Sequence, residues 1–166
     1  MKAVIQSGDV SAVNEALRNG KLNVHERDDQ SCTPLFLACG AKKNRVEMVK
    51  TFLNAGAKPN VLSGSAGNTV LHYALVSTPY DSVEAENSSA LSVVKLLLKE
   101  DNSLATIKNV NGDSSLAFAC VLADHKAVNY LLNFAGVPNL IHQPNQSGVT
   151  PLVVLAASEA PDSLKY

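Results

Sequence analysis

The residues of this 166-residue chain with the widest chemical reach are its three cysteines, its four histidines and a few glycine-rich turns. Cys32 and Cys39, with His25 or His72, could offer thiolate and imidazole ligands to zinc. Their C-x6-C spacing matches no common zinc site, and cysteine is also a common small buried residue. Cys120 and His125 could form a nucleophile–base pair, yet both fall in one short helix and turn with no third residue placed to orient the base. Gly64-Ser65-Ala66-Gly67-Asn68 has the glycines of a phosphate loop but not its lysine, and no strand precedes it. Lys42-Lys43-Asn44-Arg45 could act as a nuclear-import patch, although three charges in a turn are more simply a solvated face. No catalytic residue, metal or cofactor is expected.

Bulk composition narrows the field further. Hydrophobic residues make up 46% and charged residues 17%, an ordinary globular balance. Aromatics are 5% and tryptophan is missing, so Leu, Val and Ala must fill the core. A net charge of -1 argues against a nucleic-acid partner. The odd cysteine count, the lack of a CxxC pair and the lack of a leader pattern lead us to expect reduced thiols and a cytoplasmic location, with the nucleus left open. The longest apolar stretch, near Val149 to Ala157, is far shorter than the ~18 residues of a membrane span.

The elements that must position any site announce themselves by repetition. Thr33-Pro34-Leu35-Phe36-Leu37-Ala38 is echoed by Thr69-Val70-Leu71-His72-Tyr73-Ala74. It returns as Ser114-Ser115-Leu116-Ala117-Phe118-Ala119 and as Thr150-Pro151-Leu152-Val153-Val154-Leu155. The steps between the motif leucines are 36, 45 and 36 residues. A second echo keeps a fixed phase: Val13 with Leu17, Val49 with Leu53, Val94 with Leu98, Val128 with Leu132. Each unit reads as turn, short helix, short loop, longer helix and stop, the stop carrying glycine at Gly20, Gly56 and Gly136. The longer helix has one apolar stripe, as in Val94, Leu97 and Leu98, which a single unit cannot bury alone. Stacked units can.

The pattern resembles the ankyrin-repeat family, whose unit is about 33 residues with T-P-L-H-x-A at its first helix. The resemblance covers almost the whole chain and is weakest where Ser114-Ser115 replaces Thr-Pro. It implies one domain over residues 1–166: an all-α, right-handed solenoid of helix pairs with β-hairpin-like fingers. The expected units are 1–27, 28–63, 64–108, 109–144 and a partial 145–166, with a long insertion between helices at 76–89. Thr33, Thr69, Ser114 and Thr150 should cap first helices, with Pro34 and Pro151 in their first turn. The insertion with its acids Asp81, Glu84 and Glu86 should lie near a basic turn with Lys42, Lys43 and Arg45, so a loose contact between them is one expectation and a solvated loop the other.

In such proteins, partners touch the finger tips and the inner helices of a concave face. Carried over, the fingers give Asp29, Gln30, Cys32, Ser65, Ala66, Asn68, Val110, Asn111, Asp113, Gln146 and Val149, and the inner-helix ends give Val76, Val121 and Leu122. The fourth unit stands out, with Val110, Val121 and Leu122 apolar at positions expected to be exposed. The expected function is a non-catalytic protein-interaction module, monomeric, with an unidentified protein partner and no nucleic acid or membrane. Two alternatives stand beside it: the targeting arm of a larger enzyme or effector, and a structural spacer.

Overall fold

The computed structural model describes residues 2–77, 89–134 and 136–159. The architecture is all-α, built from helix pairs: α1 (Lys2–Gln6) with α2 (Val10–Arg18), α3 (Pro34–Cys39) with α4 (Arg45–Asn54), and α5 (Val70–Val76) with α6 (Ser89–Glu100). Next come α7 (Ser115–Val121) with α8 (His125–Leu132), a one-turn α9 (Val137–Leu140), and α10 (Pro151–Glu159) as the first helix of another unit. The first helices contact one another in order, α1 on α3, α3 on α5, α5 on α7 and α7 on α10. The second helices form a parallel row, α2 on α4, α4 on α6 and α6 on α8.

Local chemistry accounts for the helix starts. Thr33, Thr69 and Ser114 each accept a backbone N–H from the third residue onward, and Thr150 Oγ1 accepts from Val153 N–H at 3.3 Å. Pro34 opens α3 and Pro151 opens α10, where the missing N–H has no intrahelical partner to lose. Asp9 and Asp124 cap α2 and α8 by the same side-chain bond.

Stacking buries what the stripes present. The motif leucines Leu35, Leu71 and Leu116 are fully buried, as are the motif alanines Ala38, Ala74 and Ala119. The second-helix valines Val13, Val49, Val94 and Val128 are buried against them. Each of these burials stabilises the fold by roughly 1.5–3 kcal/mol for Val or Leu. Leu152 is the exception at 42% exposed, because no further inner helix covers α10 among the described residues.

The fingers are tighter turns than regular hairpins. Only two isolated antiparallel bridges occur among the described residues, Ser63 with Asn68 and Lys108 with Ser114. Three fingers instead wrap around a side-chain oxygen. Asp28 Oδ1 accepts from the N–H groups of Gln30 and Cys32, Asn109 Oδ1 from those of Asn111 and Asp113, and Asn145 Oδ1 from those of Ser147 and Val149.

The structure corrects several sequence expectations. Arg45 is not part of an exposed basic turn. It is 6% exposed, with its guanidinium reaching the carbonyl of Ala74 at 2.5 Å and that of Ser77 at 3.5 Å. The stop of the fourth unit is not at Gly136. Helix α8 ends at Leu132, and Gly136 precedes the unforeseen α9. A 3-10 turn at Asn102–Thr106 closes the third unit in place of a glycine. Both additions bury apolar side chains, Leu104 with Ala105 and Val137 with Leu140. Residues 78–88 of the expected insertion lie outside the described residues, and so does its expected contact with the basic turn.

Candidate partner-binding surface

The inner row carries almost no charge. Helices α3, α5 and α7 contain no Asp, Glu, Lys or Arg, α1 has only Lys2 at its start, and α10 has only Glu159 at its end. The buried imidazole of His72 is held neutral, since burial pushes its pKa down. In the neutral ring Nδ1 accepts from the Thr69 N–H, N to N 3.2 Å, and lies 2.8 Å from Thr69 Oγ1. Nε2–H donates to the Asp113 carbonyl at 3.1 Å, a bond that opposes part of the burial effect. A proton on Nδ1 would cost the bond from the Thr69 N–H.

Two depressions lie along this neutral surface. The C-terminal one, about 410 Å³, opens between α5, α7 and α10 and the last two fingers. Its walls are apolar: Val76, Phe118, Val121, Leu122, Val149 and Val154. Val76 is 47% exposed and Val121 63% exposed, so the wall faces solvent. Asp113 is the one acid at its edge, and Asn145 Nδ2 donates to its Oδ1 at 2.7 Å. The N-terminal depression, about 550 Å³, is more polar. Gln30, Ser65, Ala66 and Asn68 line it beside Lys2 and Tyr73.

The residues singled out from sequence thus separate into three groups. Val76, Asp113, Val121, Leu122 and Val149 meet in the apolar cleft. Gln30, Cys32, Ser65, Ala66 and Asn68 meet in the polar one. Cys32 is a correction within that group, because it is only 6% exposed and lies in the floor beneath its finger. Asp29, Val110, Asn111 and Gln146 line neither depression. Asp29 is an exposed finger tip, and the other three stitch adjacent fingers together. Val110 N–H donates to the Ala66 carbonyl at 3.1 Å, Gln146 N–H to the Asn111 carbonyl at 2.9 Å, and Gln146 Nε2 to the Val110 carbonyl at 2.6 Å. Asn68 is similarly committed, accepting from Asn109 Nδ2 at 2.9 Å. Val110 lies over Gly67, whose φ of +57° and missing Cβ both suit the position: a Cβ there would fall 2.8 Å from Val110 Cγ1.

Phe118 and Val154 were missed in the sequence. Phe118 stands one turn before Leu122 on α7, and its ring meets His72 edge-on at 5.1 Å. The i, i+4 spacing was the available signal.

The thiols are poor candidates for chemistry. Burial pushes Cys39 up to about 12 and Cys120 up to about 11, and burial together with Asp28 raises Cys32. Each is held as the thiol, which is neither the nucleophile nor the metal ligand. No helix among the described residues is long and apolar enough to cross a membrane.

Comparison with known proteins agrees with this architecture. Residues 1–85 match the family model described as ankyrin repeats in three copies. The chain is 27% identical over 132 residues to the human transient receptor potential cation channel subfamily A member 1, covering 79% of this chain and 10% of that protein. It is 32% identical over 132 residues to the phosphocholine transferase AnkX of Legionella pneumophila, covering 79% of this chain and 13% of that one. A fowlpox virus ankyrin repeat protein, FPV024, is 32% identical over 81 residues, covering 48% of this chain and 13% of its own length. The chain therefore spans about a tenth to an eighth of each of these relatives.

Proposed function

Because this chain belongs to the ankyrin-repeat family, we propose that it is a protein-interaction module whose concave surface takes a partner's apolar anchor in the cleft between α5, α7 and α10. The observation that carries this reading is the exposed apolar wall of Val76, Val121, Leu122 and Val149 on a surface almost free of charge. Burying three such side chains supplies roughly 4–6 kcal/mol before ordering costs. A partner segment with an aliphatic or aromatic anchor and little charge of its own fits this surface better than a polyanion does.

Repeats of this family are themselves non-catalytic, and the raised thiols match that role. A featureless spacer would have no reason to keep valines exposed in a cleft.

The test is a paired capture, with the wild-type chain and a Val121→Asp variant as baits, both shown to be folded by circular dichroism. A partner held by wild type and lost by the folded variant supports the reading. The same partner on both baits moves the site away from this cleft.

A second reading has its own support. The chain matches only 13% of a phosphocholine transferase, so the module could serve as the substrate-recruiting arm of a longer enzyme. The mass of the mature chain in its source cells separates this reading from a free-standing module.

A further inference from the structure

Arg45 occupies an unusual place for a cation. It opens α4 on the outer row of the second unit, yet its side chain is buried and runs to the far end of α5 in the third unit. Nη2 donates to the Ala74 carbonyl and Nη1 to the Ser77 carbonyl. These two carbonyls flank the last turn of α5, and Val76 lies between them. The last carbonyls of a helix have no intrahelical donors, and the negative end of the helix dipole gathers there, so a fixed guanidinium satisfies both needs. Val76 in turn forms the α5 wall of the apolar cleft. Its neighbour Ser77 is tied from the other side, with its N–H and its Oγ both donating to the Tyr73 carbonyl.

We infer that Arg45 is a positioning residue for the apolar cleft: by gripping the Ala74 and Ser77 carbonyls it holds the last turn of α5, and Val76 with it, in the wall against which a partner's anchor packs. The grip comes from the neighbouring unit's outer helix, so the shape of the cleft depends on a residue that does not line it. The inference rests on the binding reading above only for its purpose, because the grip itself can be measured without a partner.

The experiment compares wild type, Arg45→Met and Arg45→Lys by amide hydrogen exchange and by binding of anilinonaphthalene sulfonate as an apolar probe. Probe bound in the cleft is identified by its loss in Val121→Asp. Methionine keeps the apolar stem and removes both donors, while lysine keeps the charge and a donor. The expected result for Arg45→Met is exchange at the Val76 and Ser77 amides about tenfold faster relative to the α8 amides, with several-fold weaker probe binding. Arg45→Lys restores part of both. A uniform rise across α5 and α8 would mean that Arg45 serves overall stability alone, and it overturns the inference. So does unchanged exchange at Val76 and Ser77, or faster exchange there with unchanged probe affinity. If the exchange and probe results are as expected while Val121→Asp leaves partner capture intact, the positioning role stands and the binding reading fails.

Discussion

His72 Nε2 lies 3.1 Å from the main-chain carbonyl of Asp113, 41 residues further along the chain. One imidazole thereby closes its own helix start through Thr69 and anchors the finger of the next unit. Burial favours the neutral ring in that arrangement.

Stability should therefore depend on pH through His72. Its folded pKa is lowered, so the unfolded chain, with an ordinary value of about 6.5, binds the proton more readily. The contribution is fully present above pH ~6.5 and is lost as pH falls below that toward the folded value. Urea unfolding at pH 7.5 and 5.5 should show the wild type weaker at 5.5. A His72→Gln variant, less stable at both, should show a smaller difference between them.

Two strained backbone positions predict stabilising changes. Ser31 has φ of +60° at the finger position where Gly112 and Gly148 stand in later units, and Ala123 has φ of +50° ahead of α8. A left-handed non-glycine residue costs roughly 1–2 kcal/mol, and glycine's extra unfolded freedom takes back roughly 0.5–1. Ser31→Gly and Ala123→Gly should each stabilise by about 0.5–1 kcal/mol, seen as a Tm increase of about 1–3 °C.

The motif leucines should separate by position. Leu71→Ala removes a fully buried side chain flanked by units on both sides and should cost about 3–4 kcal/mol. Leu152→Ala, at 42% exposed, should cost about 1. Chemical denaturation of the two variants checks the ratio.

Asn109 holds its finger from inside. It is 7% exposed, its Oδ1 accepts from the Asn111 and Asp113 amides, and its Nδ2 donates to Asn68. Asn109→Ala strands those groups and should destabilise by about 2–3 kcal/mol, whereas Asn109→Asp keeps the acceptor and loses less. Equal losses in the two variants would show that the finger turn does not depend on this oxygen.

Much of the fold is legible because a stacked repeat writes itself into the sequence several times. The caps at Thr33, Thr69, Ser114 and Thr150, and the buried leucines, follow from spacing alone. Arg45 was not legible, since a charged residue that follows Lys42-Lys43-Asn44 at the start of a helix reads as solvated. Only the stacking brings the end of α5 to it. The short α9 was hidden for a related reason: Val137 and Leu140 make one turn, too brief to show a period. Of the site, the family resemblance implied Val76, Val121 and Leu122 at inner-helix ends, and all three are exposed. The finger residues Asn68, Val110 and Gln146 could not be told apart from free contact groups, because the bonds that occupy them run between units.

The central claim is that a partner docks in the cleft of α5, α7 and α10. The most direct test places a photo-crosslinking residue at Val121, inside the cleft, and in a second chain at Asn129, on the exposed side of α8. A partner captured through position 121 and absent at 129 is the predicted result. Capture through 129 with none at 121 would contradict it and put the binding surface on the outer row of helices.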